Sequence, residues 1–150
     1  IYTFAATGAL NGNDAFGANM VVANDTMDFS AFLSGGSFNT TGIEHDATGD
    51  IDITNKVNMV FTTNATVADT NTTTKVAALI EGMADAMTIS NGGKAILICG
   101  DNNAATAGAQ IYFVDDNLGD NVGTIEADDI VQVGNMTLDI EVLDAGNFTF

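Results

Sequence analysis

The sequence has no arginine and only three lysines, Lys56, Lys75 and Lys94, against 20 acidic residues, for a net charge of −17. Nucleic-acid binding rests on Lys and Arg displacing counterions from phosphates, so this balance excludes nucleic acid as a partner. An anionic membrane surface is disfavoured on the same ground. No stretch approaches the roughly 18 apolar residues needed to span a bilayer, so no transmembrane segment is expected. No basic n-region followed by an apolar segment reads as a signal peptide. The chain starts at Ile1, which reads as a processed product or a piece of something longer.

Other absences bear on chemistry. His45 is the single histidine, too few for the ligand set of a metallohydrolase. A Ser-His-Asp triad would need His45 with Ser30, Ser34, Ser37 or Ser90, and none of these serines sits in a nucleophile elbow. There is no tryptophan to stack on a sugar and no glycine-rich phosphate loop. The lone Cys99 cannot form an internal disulfide, and its apolar run Ala95-Ile96-Leu97-Ile98-Cys99 marks it as a small buried hydrophobe. A non-enzymatic protein is expected. Proline is also absent. Strands therefore lose no ladder donors, and sheet edges lack one of their usual blockers.

What is present points to β structure rich in turns. With 46% hydrophobic residues, 150 residues suit a single domain over 1–150 with a real core. The acids divide into 16 Asp and 4 Glu. Glu would dominate an acidic helical surface, whereas Asp favours turns and is a common calcium ligand from loops. Asn, Gly and Thr, at 16, 16 and 19 residues, add turn and strand formers.

Ile1–Ala6, Met20–Ala23, Ile51–Thr54 and Val57–Thr63 read as strands, with a hairpin turn or bulge at Asn55-Lys56. Phe29–Leu33 suits one helical turn, and Ser34–Gly42 reads as loop. Val76, Leu79, Ile80, Met83 and Met87 form one apolar stripe, which predicts an amphipathic helix over Lys75–Met87. Ala95–Cys99 and Ile111–Val114 are apolar without alternation, as central strands covered on both faces would be. Asp129–Val133, Met136–Val142 and Asn147–Phe150 complete the strands, with hairpin connections at Gly100–Gly108 and Gly134-Asn135. The expected fold is mainly β: an antiparallel, sandwich-like domain with one amphipathic helix packed on a sheet.

The densest oxygen donors are Asp115, Asp116, Asn117 and Asp120, followed by Glu126 and Asp128. Calcium takes six to eight oxygens in flexible geometry, and this set suits it. The spacing does not match an EF-hand, because Gly119 falls where a ligand belongs. Asp25 and Asp28 form a second candidate group. The competing reading is a set of solvated turns built by Asp and Asn.

Two stretches resemble a known group of proteins. Asp25-Thr26-Met27-Asp28-Phe29-Ser30-Ala31-Phe32-Leu33 is similar to the segment that follows the β-roll repeats of RTX-type proteins of the bacterial type I secretion pathway. From Ala95 onward, Gln110–Val114, Asp128–Gly134 and Asp144–Phe150 resemble the C-terminal regions of the same proteins. The resemblance leaves 39–74 unmatched, and the glycine-rich calcium repeats are missing. It implies a secreted protein that folds outside the cell or at the bacterial surface, where calcium is plentiful, with an export signal ending in Phe148-Thr149-Phe150.

The expected function is structural: a calcium-stabilised, self-assembling homo-oligomeric or polymeric subunit of a filament, surface layer or adhesin. Ile1–Ala6 or Asn147–Phe150 would pair with a neighbour's sheet edge. The alternative is a C-terminal export and capping module of a larger secreted protein. Divalent cations are the expected small partners.

Overall fold

An apolar run without alternation is stable as a strand only where both sides of its sheet are covered. Ala95–Cys99 and Ile111–Val114 meet that condition. The computed structural model describes residues 2–3, 14–16, 26–44, 51–61, 76–77, 87–100, 108–118, 125–136, 140 and 143–150. Its strands are β1 (Tyr2–Thr3), β2 (Asp14–Phe16), β3 (Met27–Asp28), β4 (Ser37–Glu44), β5 (Ile51–Asp52), β6 (Lys56–Phe61), β7 (Met87–Thr88), β8 (Lys94–Gly100), β9 (Ala109–Asp115), β10 (Ile130–Met136) and β11 (Phe148–Thr149).

The large sheet runs β2-β10-β9-β8-β6-β4. Along β8, Ile96 and Ile98 face one way and Ala95, Leu97 and Cys99 the other, and all five are fully buried. Two separate clusters cover them. The first packs Ile96, Ile98, Ile111, Phe113, Val57 and Met59 against Met27, Phe29, Phe32, Leu33 and Phe148. The second packs Leu97, Cys99, Tyr112, Val114 and Val60 against Ile53, Val76, Ala77, Met87 and Ile89. The first face is thus covered by residues of β3 and β11, and the second by residues beside and within β5 and β7.

The described chain is mainly β, but the sheet is mixed where an antiparallel one is expected. β8, β9 and β10 pair antiparallel, while β4-β6, β6-β8 and β2-β10 pair parallel. The parallel part arises because β4, β6 and β8 lie in the large sheet while β5 and β7 pair with each other in a separate ribbon. The chain therefore winds from large sheet to ribbon and back in successive coils. Asn55-Lys56 is not a hairpin between β5 and β6. It is the corner where the chain crosses between sheets, and Asn55 takes it with φ 54°, a left-handed geometry that Asn tolerates.

Three further expectations are corrected. Ser34–Gly42 is not loop throughout, because β4 begins at Ser37 and pairs with β6. Its polar side chains hide the strand, and the pairing partner supplies it. Gly134-Asn135 lies inside β10, next to a register shift after Gln132, so the extra residue Val133 bulges there. The stripe ending at Met87 does not run as one helix. Val76 and Ala77 are helical and buried, but Met87 is a strand residue paired with Ile51. The rest of that helix, the Met20–Ala23 strand and most of Met136–Val142 lie outside the described residues. Phe29–Leu33 is a turn, with the Phe32 and Leu33 amides donating to the Phe29 carbonyl at 2.8 and 2.9 Å.

β1, β3 and β11 form a small sheet in which β3 is central and both neighbours run parallel to it. Phe148 of β11 anchors this sheet: its ring stacks on Phe38 at 4.7 Å and on Phe29 at 6.3 Å. No helix among the described residues is long and apolar enough to cross a membrane.

Candidate functional site at the turn end of the large sheet

The coiled path brings four turns side by side at one end of the large sheet. They are Ser34–Gly36 before β4, Thr54–Asn55 before β6, Ser90–Gly93 before β8, and Asp116–Leu118 after β9. Each turn bonds to its neighbour. The Asn55 side-chain amide donates to the carbonyls of Ser34 and Gly35 at 3.2 and 3.3 Å. The Ser90 amide donates to Thr54 Oγ1 at 2.8 Å. The Gly92 amide donates to Asp116 Oδ2 at 2.8 Å, and Asn117 Nδ2 donates to the Gly92 carbonyl at 3.3 Å. Polar side chains thus satisfy the backbone groups that the strand ends leave over.

The charged groups gather here too. Lys94 Nζ lies 3.3 Å from Asp115 Oδ2, and Lys56 Nζ lies 3.5 Å from Asp52 Oδ2. Lys94 also sits 5.8 Å from the centre of the Phe113 ring. Asp116 is almost fully buried, while Asn117 and Leu118 are exposed, Leu118 at 54%.

Each candidate calcium ligand has a definite place. Asp115, Asp116 and Asn117 come together in one turn, and Asp115 Oδ1 accepts from both the amide and the side chain of Asn117 at 3.2 and 3.1 Å. Glu126 and Asp128 belong to the 3₁₀ turn that leads into β10, where the Glu126 amide donates to Asp129 Oδ2 at 2.8 Å. Asp128 is exposed. Asp28 lies in β3, where its neighbours differ from those of the turn end. Asp25 and Asp120 lie outside the described residues. Among the described residues, no three His, Cys, Asp or Glu gather around a point that could hold a metal ion.

One use of aspartate recurs that the acid counts do not convey. Asp28 Oδ1 accepts from the Ser30 amide at 2.9 Å, Asp52 Oδ1 from Thr54 at 3.0 Å, Asp115 Oδ1 from Asn117 at 3.2 Å, and Asp144 Oδ1 from Gly146 at 2.7 Å. Each is an Asx turn, in which the short carboxylate caps the amide two residues on. Glu has an extra methylene and does not make this ring, so these four positions call for Asp. The spacing Asp-x-Ser/Thr/Asn/Gly repeats in the sequence and is the signal that marks Asp52 and Asp144 beside the expected residues. The 3₁₀ turns repeat as well. Asp144 donates its amide to Asn147 Oδ1 at 2.9 Å, as Glu126 does to Asp129, and both acceptor residues are buried.

These bonds have a pH signature. The hydrogen bonds from Ser30 hold the Asp28 carboxyl below its ordinary value of 3.8, and those from Thr54 do the same for Asp52, helped by Lys56. A carboxyl whose folded pKa is depressed adds stability above the unfolded value and loses it as pH falls through the folded one. The stability advantage of the wild type over an Asp28→Ala, Asp52→Ala double variant is therefore constant near neutrality and shrinks below about pH 4. Urea melts at pH 7 and pH 3 check this; a gap of equal size at both would contradict it. Cys99 is fully buried, and burial pushes its thiol up to about 12.

No family model, curated protein or solved structure matches the chain.

Proposed function

We propose that this is a non-enzymatic extracellular structural protein whose copies associate by strand addition, with calcium held by its acidic turns. The observation that supports this best is the make-up of the small sheet. The first and last strands of the sequence each add to β3 in parallel, through registers of two residues: Tyr2 and Thr3 on one side, Phe148 and Thr149 on the other. Main-chain bonding of a short strand is what strand addition exchanges between molecules. Phe148 ties β11 into the core, and β1 is the strand assigned to exchange in this reading. A β1 seated on the β3 of a neighbour would form the same bonds. Repeated head to tail, such an exchange gives an open filament.

The charge supports a cation in this role. Copies carrying −17 repel each other, and divalent ions between acidic turns would relieve that repulsion. The carboxylates of Asp28 and Asp115 and the exposed Asp128 are the donors for it, with Asp115 Oδ2 exchanging Lys94 for the cation. The resemblance to RTX-type C-terminal regions supports an extracellular or cell-surface setting. Within this reading, the helical, buried Val76 and Ala77 belong to the amphipathic helix packed on the second face of the large sheet, giving a layered, sandwich-like domain.

Deleting residues 1–6 tests the reading. In millimolar calcium the full chain is expected to pellet as polymer, and the shortened chain to remain a soluble, folded subunit. Equal pelleting of both would refute assembly through β1.

A further inference from the structure

We infer that Asn91 is a latent deamidation site and that the buried carboxylate of Asp116 holds it in check. Asn91 and Gly92 are the central residues of a tight turn closed by the Gly93 amide donating to the Ser90 carbonyl at 2.6 Å. Gly92 has φ +70°, the positive value that the second central position of a type II turn demands. Asn91 is exposed, so water reaches its side-chain amide. An Asn followed by Gly has no side chain to obstruct attack of the Gly amide nitrogen on the Asn Cγ.

The chemistry is a self-contained rearrangement plus water. The Gly92 nitrogen loses its proton and bonds to Cγ of Asn91, and the side-chain nitrogen leaves as ammonia. The resulting cyclic imide is opened by water at either carbonyl, giving aspartate or isoaspartate. The sum is one amide plus water to one acid plus ammonia, with no oxidant or cofactor. The isoaspartate product adds a backbone atom inside a turn that feeds directly into β8, the strand at the centre of the sheet.

Asp116 controls the first step. The nitrogen that must attack donates its proton to Asp116 Oδ2 at 2.8 Å, and Asp116 is 1% exposed. A carboxylate is far too weak a base to take an amide proton, and its negative charge opposes an anionic nitrogen beside it. The bond also fixes the Asn91–Gly92 peptide plane, and Asn117 Nδ2 on the Gly92 carbonyl at 3.3 Å fixes the next one. The turn thus keeps the nucleophile protonated, with its N–H committed to Asp116. This assigns Asp116 to chemical protection of the turn, independently of whether its neighbours bind a cation.

The sequence supplies a clean readout. Cleavage after Lys75 and Lys94 releases peptide 76–94, in which Asn91 is the only Asn or Gln, so any amide-to-acid mass gain reports this residue alone. The full chain, Asp116→Asn and Asp116→Ala are incubated at mildly alkaline pH and sampled by peptide mass spectrometry and isoaspartate detection. Loss of a charge-assisted hydrogen bond is expected to speed conversion at Asn91 by about tenfold in Asp116→Ala, with a smaller rise in Asp116→Asn, which keeps an acceptor without the charge. If Asp116→Ala unfolds, Asp116→Asn and Asn117→Ala, each checked for native circular dichroism, carry the test. Rates in the folded variants equal to or below that of the full chain would overturn the proposal.

Discussion

Leu97→Ala and Ile98→Ala are expected to destabilise the protein by similar amounts, about 2–5 kcal/mol each. The two residues are neighbours in β8 and point to opposite faces of the large sheet. Leu97 packs with Tyr112 and Val60 in one cluster, Ile98 with Ile111 and Met59 in the other, and both are fully buried. Truncating either leaves a cavity that the rigid sheet cannot close. In a strand with one wet face, one of the two changes would fall within about 0.5 kcal/mol of neutral. Domains of this kind hold only about 5–15 kcal/mol in total, so either change would take a large part of it. Denaturant melts of the two variants decide the matter. Strongly unequal losses would contradict a sheet covered on both sides.

Phe148→Ala is expected to cost about 3–5 kcal/mol. Phe148 is 7% exposed and stacks on Phe38 and Phe29, so it seals the cluster on the first face. β11 itself is held by only two paired positions, so most of its binding energy comes from this ring. The measurement bears on function as well as on stability. A segment that serves only as a free export tail would tolerate the change within about 0.5 kcal/mol. A large loss instead marks the segment as part of the folded domain.

The parts of the fold legible in the sequence are those set by local pattern. Ala95–Cys99 and Ile111–Val114 are apolar at every position, and that alone announces strands with two dry faces. The turn at Asp115–Asn117 announces itself through residues that make turns for local reasons. What escaped is set by distant partners. Ser37–Glu44 has the composition of a loop and becomes a strand because Lys56–Phe61 offers it a parallel edge. The crossing from β5 to β6 looks like a hairpin because period-two patterns carry no information on which sheet a strand joins. Met87 fits a helical stripe by spacing, yet its pairing with Ile51 draws it into a ribbon.

The acidic residues show the same division. Their clustering in turns is readable in the sequence. Their first duty was less visible: Asp28, Asp52, Asp115 and Asp144 each close a turn on the amide two residues on. At Asp52 and Asp115 the oxygen left over by the Asx turn faces Lys56 and Lys94, so a cation there has to displace a lysine. The net charge of −17 is the barrier that the proposed assembly has to overcome.

Sedimentation velocity of the intact chain, in millimolar calcium and again with excess chelator, is the most direct measurement. Assembly through β1 with cations between acidic turns requires fast-sedimenting species in calcium that dissolve to subunits in chelator. A single slow boundary at the subunit mass in both conditions would contradict it.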